Sequence, residues 1–102
     1  MKKGWREKMK VTKWHLRNFR KGLRLVEKIA HEEDVRRVDY MLGFAIASIK
    51  QLQQRGRITK KQGQALIELA YEVADNTTDE ITSGEMRVID WNITPPDLFG
   101  DE

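Results

Sequence analysis

Hydrophobic residues recur every three or four positions between residues 12 and 75, and this spacing predicts three amphipathic α-helices. The first predicted helix covers residues 12–30. Its apolar positions form two sides, with Leu16, Phe19, Leu23, Val26 and Ala30 on one and Trp14, Leu25 and Ile29 on the other. We therefore expect this helix to bury a wide arc.

The second predicted helix covers residues 34–55 and has a signal at each end. Asp34 is a suitable N-cap, and Gly56 can adopt the left-handed conformation that often follows a last helical turn. One apolar seam consists of Val35, Val38, Leu42, Ala45, Ile49 and Leu52, and a second apolar side consists of Tyr40, Phe44 and Ala47. A helix with two apolar sides is expected to be central and covered by more than one neighbour.

The third predicted helix covers residues 60–75 and has the clearest start. Thr59 is followed three residues later by Gln62, which is the spacing of a capping box. The polar run of residues 75–78 is expected to end this helix. Because the connection from residue 54 to Thr59 is short, the second and third helices should be antiparallel. The predicted fold is all-α, a small three-helix bundle.

Both termini are expected to extend from a helical domain of residues 12–75. Residues 1–11 form a basic N-terminal arm, and residues 76–102 form an acidic arm that contains both prolines of the chain and favours extended structure. Trp91, Leu98 and Phe99 are too apolar for a solvated tail. We expect them to dock on the bundle or on a partner, and they are the candidate partner-binding residues.

Length and composition narrow the classes of protein that are possible. A chain of 102 residues is enough for one domain, and the absence of Cys excludes disulfide scaffolds, thiol catalysis and Cys-based metal sites. The longest apolar-rich stretch, residues 41–49, is far shorter than the ~20 residues of a membrane span. The charged start of the chain lacks the features of a secretory signal, so we expect a cytoplasmic protein.

Charge is distributed unevenly along the chain. Residues 1–28 contain eleven Lys and Arg against two Glu, residues 29–74 contain seven against six acids, and residues 75–102 contain one Arg against eight acids. A basic end favours a partner such as nucleic acid or an anionic membrane surface. The two ends can also pair with each other, in which case the acidic arm masks the basic end.

Seven cations are predicted to share one face of the first helix. This set, hereafter the basic strip, consists of Lys10, Lys13, Arg17, Arg20, Lys21, Arg24 and Lys28. A row of Lys and Arg along a helix neutralises phosphates and releases counterions, so these are the candidate nucleic-acid-binding residues. The simpler alternative is a solvated or internally paired face that only keeps the protein in solution.

The sequence contains little that indicates catalysis. Residues 31–34, His-Glu-Glu-Asp, resemble a metal or acid–base cluster, but adjacent residues rarely converge on one ion, and helix capping is the favoured interpretation. There is no nucleophile beside a base, no phosphate-binding Gly-rich loop and no carboxylate pair that the sequence brings together. We expect no enzyme activity, no metal, no cofactor and no small-molecule substrate.

The function predicted from these features is a non-catalytic binding module whose basic amphipathic helix engages nucleic acid or a nucleic-acid-handling protein. No motif for reading base sequence is present. The alternative is a small protein-binding inhibitor or adaptor, of the type encoded by phages and mobile elements, which acts through its acidic arm or a helical face. Because three helices leave apolar area uncovered, a homodimer is also expected.

Overall fold

Three α-helices form the fold: α1 is Lys13–Ala30, α2 is Val35–Gln54 and α3 is Lys60–Ser83. The structure, a computed structural model, describes residues 12–85, 89 and 91, and these contain no strand. Each helix packs against the other two. The predicted all-α three-helix bundle is therefore confirmed. None of the described helices has the length and apolar content needed to cross a membrane.

The direction of the helices follows from their short connections. Residues 31–34 join α1 to α2 and residues 55–59 join α2 to α3, so α2 is antiparallel to both of its neighbours. The last turn of α1 lies near the last turn of α3, where Ala30 and Ile81 line the same surface cavity. The α2–α3 turn therefore lies at the opposite end of the bundle from the α1–α2 connection.

The N-terminus of α1 is closed by a capping box that contains a histidine. The Thr12 hydroxyl accepts the backbone N–H of His15 at 3.3 Å, and His15 Nδ1 accepts the backbone N–H of Thr12 at 3.2 Å. His15 is buried. The His15 side chain takes the place that Glu or Gln usually occupies in a capping box. The predicted range of residues 12–30 is confirmed.

Hydrogen bonds close both ends of α2. The Asp34 carboxylate accepts the backbone N–H of Arg36 at 3.0 Å. At the other end Gly56 has φ of 73°, the Gly56 N–H is donated to the Gln53 carbonyl at 3.0 Å, and the Arg57 N–H is donated to the Leu52 carbonyl at 2.8 Å. This pair of bonds is a Schellman motif, which ends the helix and fixes the start of the turn. Both predicted signals, at residues 34 and 56, are confirmed.

The start of α3 agrees with its prediction, but its end does not. The Thr59 hydroxyl accepts the Gln62 N–H at 3.0 Å, and Gln62 Oε1 accepts the Thr59 N–H at 2.9 Å. The helix then continues through the polar run to Ser83, and Gly84 ends it with φ of 76°.

The prediction that α3 ends at residue 75 was wrong because the polar run belongs to the core-facing side. Asn76 and Thr77 are both buried. In the last turn the hydroxyls of Thr82 and Ser83 donate to backbone carbonyls four residues earlier, at 2.8 and 2.7 Å. Tertiary burial therefore overrides the low helix propensity of Asn and Thr. The predicted extended arm cannot begin before Gly84.

The core is made by one side of each helix and by the α2–α3 turn. Its buried apolar members are Phe19, Val26, Ile29, Val38, Ala45, Ile49, Ile58, Leu66, Ala70, Val73 and Ala74. Leu16 and Leu23 of the predicted apolar arc of α1 are only half-buried. The centre of the buried side instead contains Asn18 and Gly22.

The second predicted apolar side of α2 is exposed, although α2 contacts both other helices, as expected of a central helix. Tyr40 is 64% exposed and Phe44 is 49% exposed, and Ala47 is exposed as well. The reason is that α1 and α3 both pack on the same side of α2, around Val38 and Ile49. The exposed residues Tyr40, Phe44 and Ala47 are hereafter the apolar face of α2.

We predict that Thr59→Ala lowers the free energy of unfolding by about 1–2 kcal/mol, because it removes the hydroxyl that accepts the Gln62 N–H. The measurement is chemical denaturation followed by circular dichroism. The matched control is Thr82→Ala, an exposed threonine at the other end of α3, which should change the value by less than about 0.5 kcal/mol. Equal losses in the two variants would contradict the capping role.

We predict that the negative charge of Asp34 stabilises the fold at pH values above the ordinary pKa of this carboxyl group. The backbone N–H of Arg36 holds the Asp34 pKa below 3.8, with help from the Arg36 and Arg37 charges. A carboxyl group whose pKa is lower in the folded state contributes stability above pH 3.8. It loses that contribution as the pH falls through its pKa in the folded state. Asp34→Asn keeps a capping side chain but removes the charge.

The measurement is the difference in free energy of unfolding between the wild type and Asp34→Asn across acidic pH. The wild type should be the more stable protein at neutral pH, and the difference should shrink below pH 3.8. A difference that stays constant across this range would show that the charge makes no contribution.

Candidate nucleic-acid interface

Six members of the basic strip lie along α1, and every one is exposed: Lys13, Arg17, Arg20, Lys21, Arg24 and Lys28. They occupy successive turns on one side of the helix and extend about 22 Å from Lys13 to Lys28, at 1.5 Å per residue. Lys10, the seventh predicted member, lies outside the described residues.

The strip faces outward because the opposite side of α1 is buried. That side consists of His15, Asn18, Phe19, Gly22, Val26 and Ile29. Gly22 packs closely on α3, since a Cβ added there would lie 2.6 Å from Leu66 Cδ1 and 3.7 Å from Ile49 Cγ1. The missing side chain lets α1 approach its neighbours, and this contact fixes which side of α1 faces solvent.

The strip cations are close together and have no acidic partners in the part of the chain that the structure describes. Five of them, with half-buried Leu16, line a shallow depression of about 580 Å³ on α1. Within residues 12–85 no strip cation forms an ion pair with a carboxylate. Two ion pairs lie elsewhere, between Arg36 and Asp34 at 3.5 Å and between Arg37 and Glu32 at 3.4 Å.

A second basic region lies at the α2–α3 end of the bundle. Residues 40–67 contain no Asp or Glu but five cations, namely Lys50, Arg55, Arg57, Lys60 and Lys61. The sequence pattern did not single out this region, because residues 29–74 as a block are nearly neutral. The acid-free run was the available signal.

The two basic regions meet in a cleft between α1 and α2. This cleft, hereafter the α1–α2 cleft, has a volume of about 320 Å³ and is lined by Lys21, Leu25, Ser48, Gln51, Leu52, Arg55 and Arg57. Lys21 belongs to both the strip and the cleft. The basic surface therefore continues from α1 onto the end of α2.

Acidic side chains occupy other parts of the bundle. An exposed row of acids follows the outer side of α3 and consists of Glu68, Glu72, Asp75 and Asp79. More acids lie where α1 and α3 end, lining a cavity of about 470 Å³ with Glu32, Glu33 and Glu80. The basic strip is thus separated in space from most acids of the described chain.

The His-Glu-Glu-Asp run of residues 31–34 serves the helix ends. His31 is the C-cap of α1 and Asp34 is the N-cap of α2, so the capping interpretation is confirmed for both residues. Among the residues that the structure describes, no three His, Cys, Asp or Glu side chains are grouped so that they could hold a metal ion.

Of the three candidate partner-binding residues, the structure describes Trp91. Trp91 is half-buried and packs against the core, together with Ile89. Leu98 and Phe99 lie outside the described residues, as does the basic arm of residues 1–11. Partner binding by Trp91, Leu98 and Phe99 stays a prediction.

The apolar face of α2 is the other prominent surface feature. Arg37 lies over the ring of Tyr40, with 5.8 Å between its guanidinium carbon and the ring centroid, which is within the range of a cation–π contact. The sequence pattern predicted this apolar side, and it also predicted that three helices would leave some apolar area uncovered.

No protein-family model, curated protein or solved structure matches this chain.

Proposed function

We propose that the protein is a non-catalytic module that binds nucleic acid through the basic strip on α1. The observation that carries the proposal is the row of six exposed cations without a carboxylate partner in residues 12–85. Lys and Arg on one helix face contact successive phosphates and release the counterions condensed on them.

The arrangement of charge favours a ligand over simple solvation. Cations four residues apart, such as Arg17 and Lys21, repel each other and destabilise the helix that carries them. A face that served only solubility could have acids near its cations, as at the start of α2, where Arg36 and Arg37 pair with Asp34 and Glu32. A polyanion bound along α1 relieves the repulsion.

The same chemistry sets the specificity of the proposed binding. Contacts to phosphate oxygens do not read base sequence, so affinity should depend strongly on salt and weakly on sequence. The acids on the outer side of α3 repel phosphate, which leaves α1 and the adjoining α1–α2 cleft as the surface that faces the ligand.

The exposed apolar face of α2 favours a second candidate, in which the protein binds another protein or a second copy of itself. Aromatic side chains that are half or more exposed lose unfavourable contact with water when a partner covers them. The acidic C-terminal arm remains part of this alternative, through Trp91, Leu98 and Phe99.

We predict that the triple variant Arg17→Gln, Arg20→Gln and Arg24→Gln weakens binding to a labelled oligonucleotide by at least about tenfold and lowers the salt slope by about 2–3, because each phosphate contact contributes about 0.7–0.9 to that slope. Fluorescence anisotropy at several salt concentrations measures both quantities.

The matched control removes three exposed cations that line neither the depression along the strip nor the α1–α2 cleft, with Arg36→Gln, Lys50→Gln and Lys60→Gln. Its net charge changes equally, so a strip-specific effect should leave its salt slope close to that of the wild type. Equal losses of affinity and salt slope in the two triple variants would mean that the effect comes from net charge and not from the strip. A wild-type protein that binds no oligonucleotide at low salt would refute the proposal.

For the second candidate, we predict that Phe44→Ser weakens self-association, because it removes an aromatic side chain from the centre of the apolar face of α2. Sedimentation over a range of protein concentrations measures this effect. Tyr71→Ser is the control, since Tyr71 is 55% exposed but lies on α3. A wild type that stays monomeric at all concentrations would exclude the homodimer.

A further inference from the structure

We infer that the α1–α2 cleft is a phosphate-binding site, distinct from the row of contacts along the basic strip. Three cations from two separate segments line it: Lys21 from α1, and Arg55 and Arg57 from the residues that follow α2. Residues that are far apart in sequence are thus brought to one place by the fold. No carboxylate lines the cleft.

The three cations of the cleft favour a bound anion more strongly than cations on an open surface do. Lys21 and Arg55 are exposed, and Arg57 is half-buried. A concave site lined by one sign of charge focuses the electric field and concentrates counter-ions. A bound anion lowers the mutual repulsion of the three cations, and phosphate carries enough charge and acceptor oxygens to meet all of them.

The position of Arg57 is set by its backbone. Its N–H is donated to the carbonyl of Leu52 at 2.8 Å, and Leu52 is itself part of the cleft wall. Gly56, with φ of 73°, makes the turn that this bond requires. Since the Schellman motif fixes the backbone of Arg57 before any ligand arrives, less backbone entropy is lost on binding.

The remaining lining residues suit a phosphate group. The guanidinium groups of Arg55 and Arg57 can each donate two parallel hydrogen bonds to phosphate oxygens. Ser48 and Gln51 add a hydroxyl and an amide that can also donate. Leu25 and Leu52 supply the apolar part of the lining.

The phosphate has two possible sources. The first source is a phosphate group of the bound nucleic acid, and this case rests on the proposed function. The nucleic-acid backbone then leaves α1 at Lys21 and crosses to the α2–α3 turn. The other source is a free phosphate group, which requires the cleft alone. The two sources are separated by using inorganic phosphate and an oligonucleotide as separate probes.

The first experiment titrates inorganic phosphate into isotope-labelled protein at constant ionic strength, with chloride as the balancing anion, and follows backbone amides by NMR. The amide signals of Gly56 and Arg57 should shift and saturate. The double variant Arg55→Gln and Arg57→Gln should abolish saturation, whereas the equally charged control Lys50→Gln and Lys60→Gln should preserve it. Shifts that do not saturate in the wild type, or equal behaviour of the two variants, would overturn the inference.

A second pair of variants tests the cleft while leaving every cation in place. Ser48→Asp puts a carboxylate into the cleft and should abolish saturation by phosphate, whereas Ala47→Asp adds the same charge at the neighbouring exposed position and should preserve it. Circular dichroism confirms that each variant retains its helices. Unchanged saturation in Ser48→Asp would overturn the inference.

The oligonucleotide experiment distinguishes failure of the cleft from failure of the proposed function. Removal of Arg55 and Arg57 should lower the salt slope by about 0.7–0.9, the share of one phosphate contact, and the lysine control should leave it unchanged. If oligonucleotide binds and the two double variants behave alike, the cleft inference fails and the proposed function stands. If phosphate saturates the cleft but oligonucleotide does not bind, the proposed function fails and the cleft takes free phosphate.

Discussion

The rotation of α1 about its own axis is the constraint on which the functional surface depends. It is set where Gly22 lies against Leu66, because a side chain at position 22 would meet the Leu66 methyl at 2.6 Å. A helix held this closely on one side must present its opposite side to solvent. The residues on that opposite side are the cations of the basic strip. Close packing on the inside of α1 thus fixes the electrostatics of its outside.

Features that depend on a few neighbouring residues were predictable from the sequence. The caps at Asp34 and Thr59 act within three residues, and the alignment of the strip follows from helical geometry once α1 is recognised. The end of α3 was not predictable in this way. Asn76 and Thr77 have low helix propensity, but their burial against the core is a tertiary effect that a local pattern does not contain.

The rest of the candidate site depends on how the helices meet. Lys21 and Arg57 are distant in sequence, and their shared cleft exists only because α1 packs beside the end of α2. The exposure of Phe44 has the same origin, since an apolar side is buried only if a neighbour is available to cover it. A three-helix bundle has too few helices to cover both apolar sides of α2, and the sequence pattern does not show which of the two sides the neighbours cover.

The antiparallel arrangement of α2 puts the α1–α2 connection and the α2–α3 turn at opposite ends of the bundle, and the charges follow this division. Arg55, Arg57 and Lys60 lie at the turn, whereas Glu32, Glu33 and Glu80 lie at the other end. The bundle is therefore an electric dipole along its length. In the field of a polyanion this dipole experiences a torque, which turns the cationic end of the bundle toward the polyanion during diffusion. More collisions are then productive, and association is faster at low salt concentration.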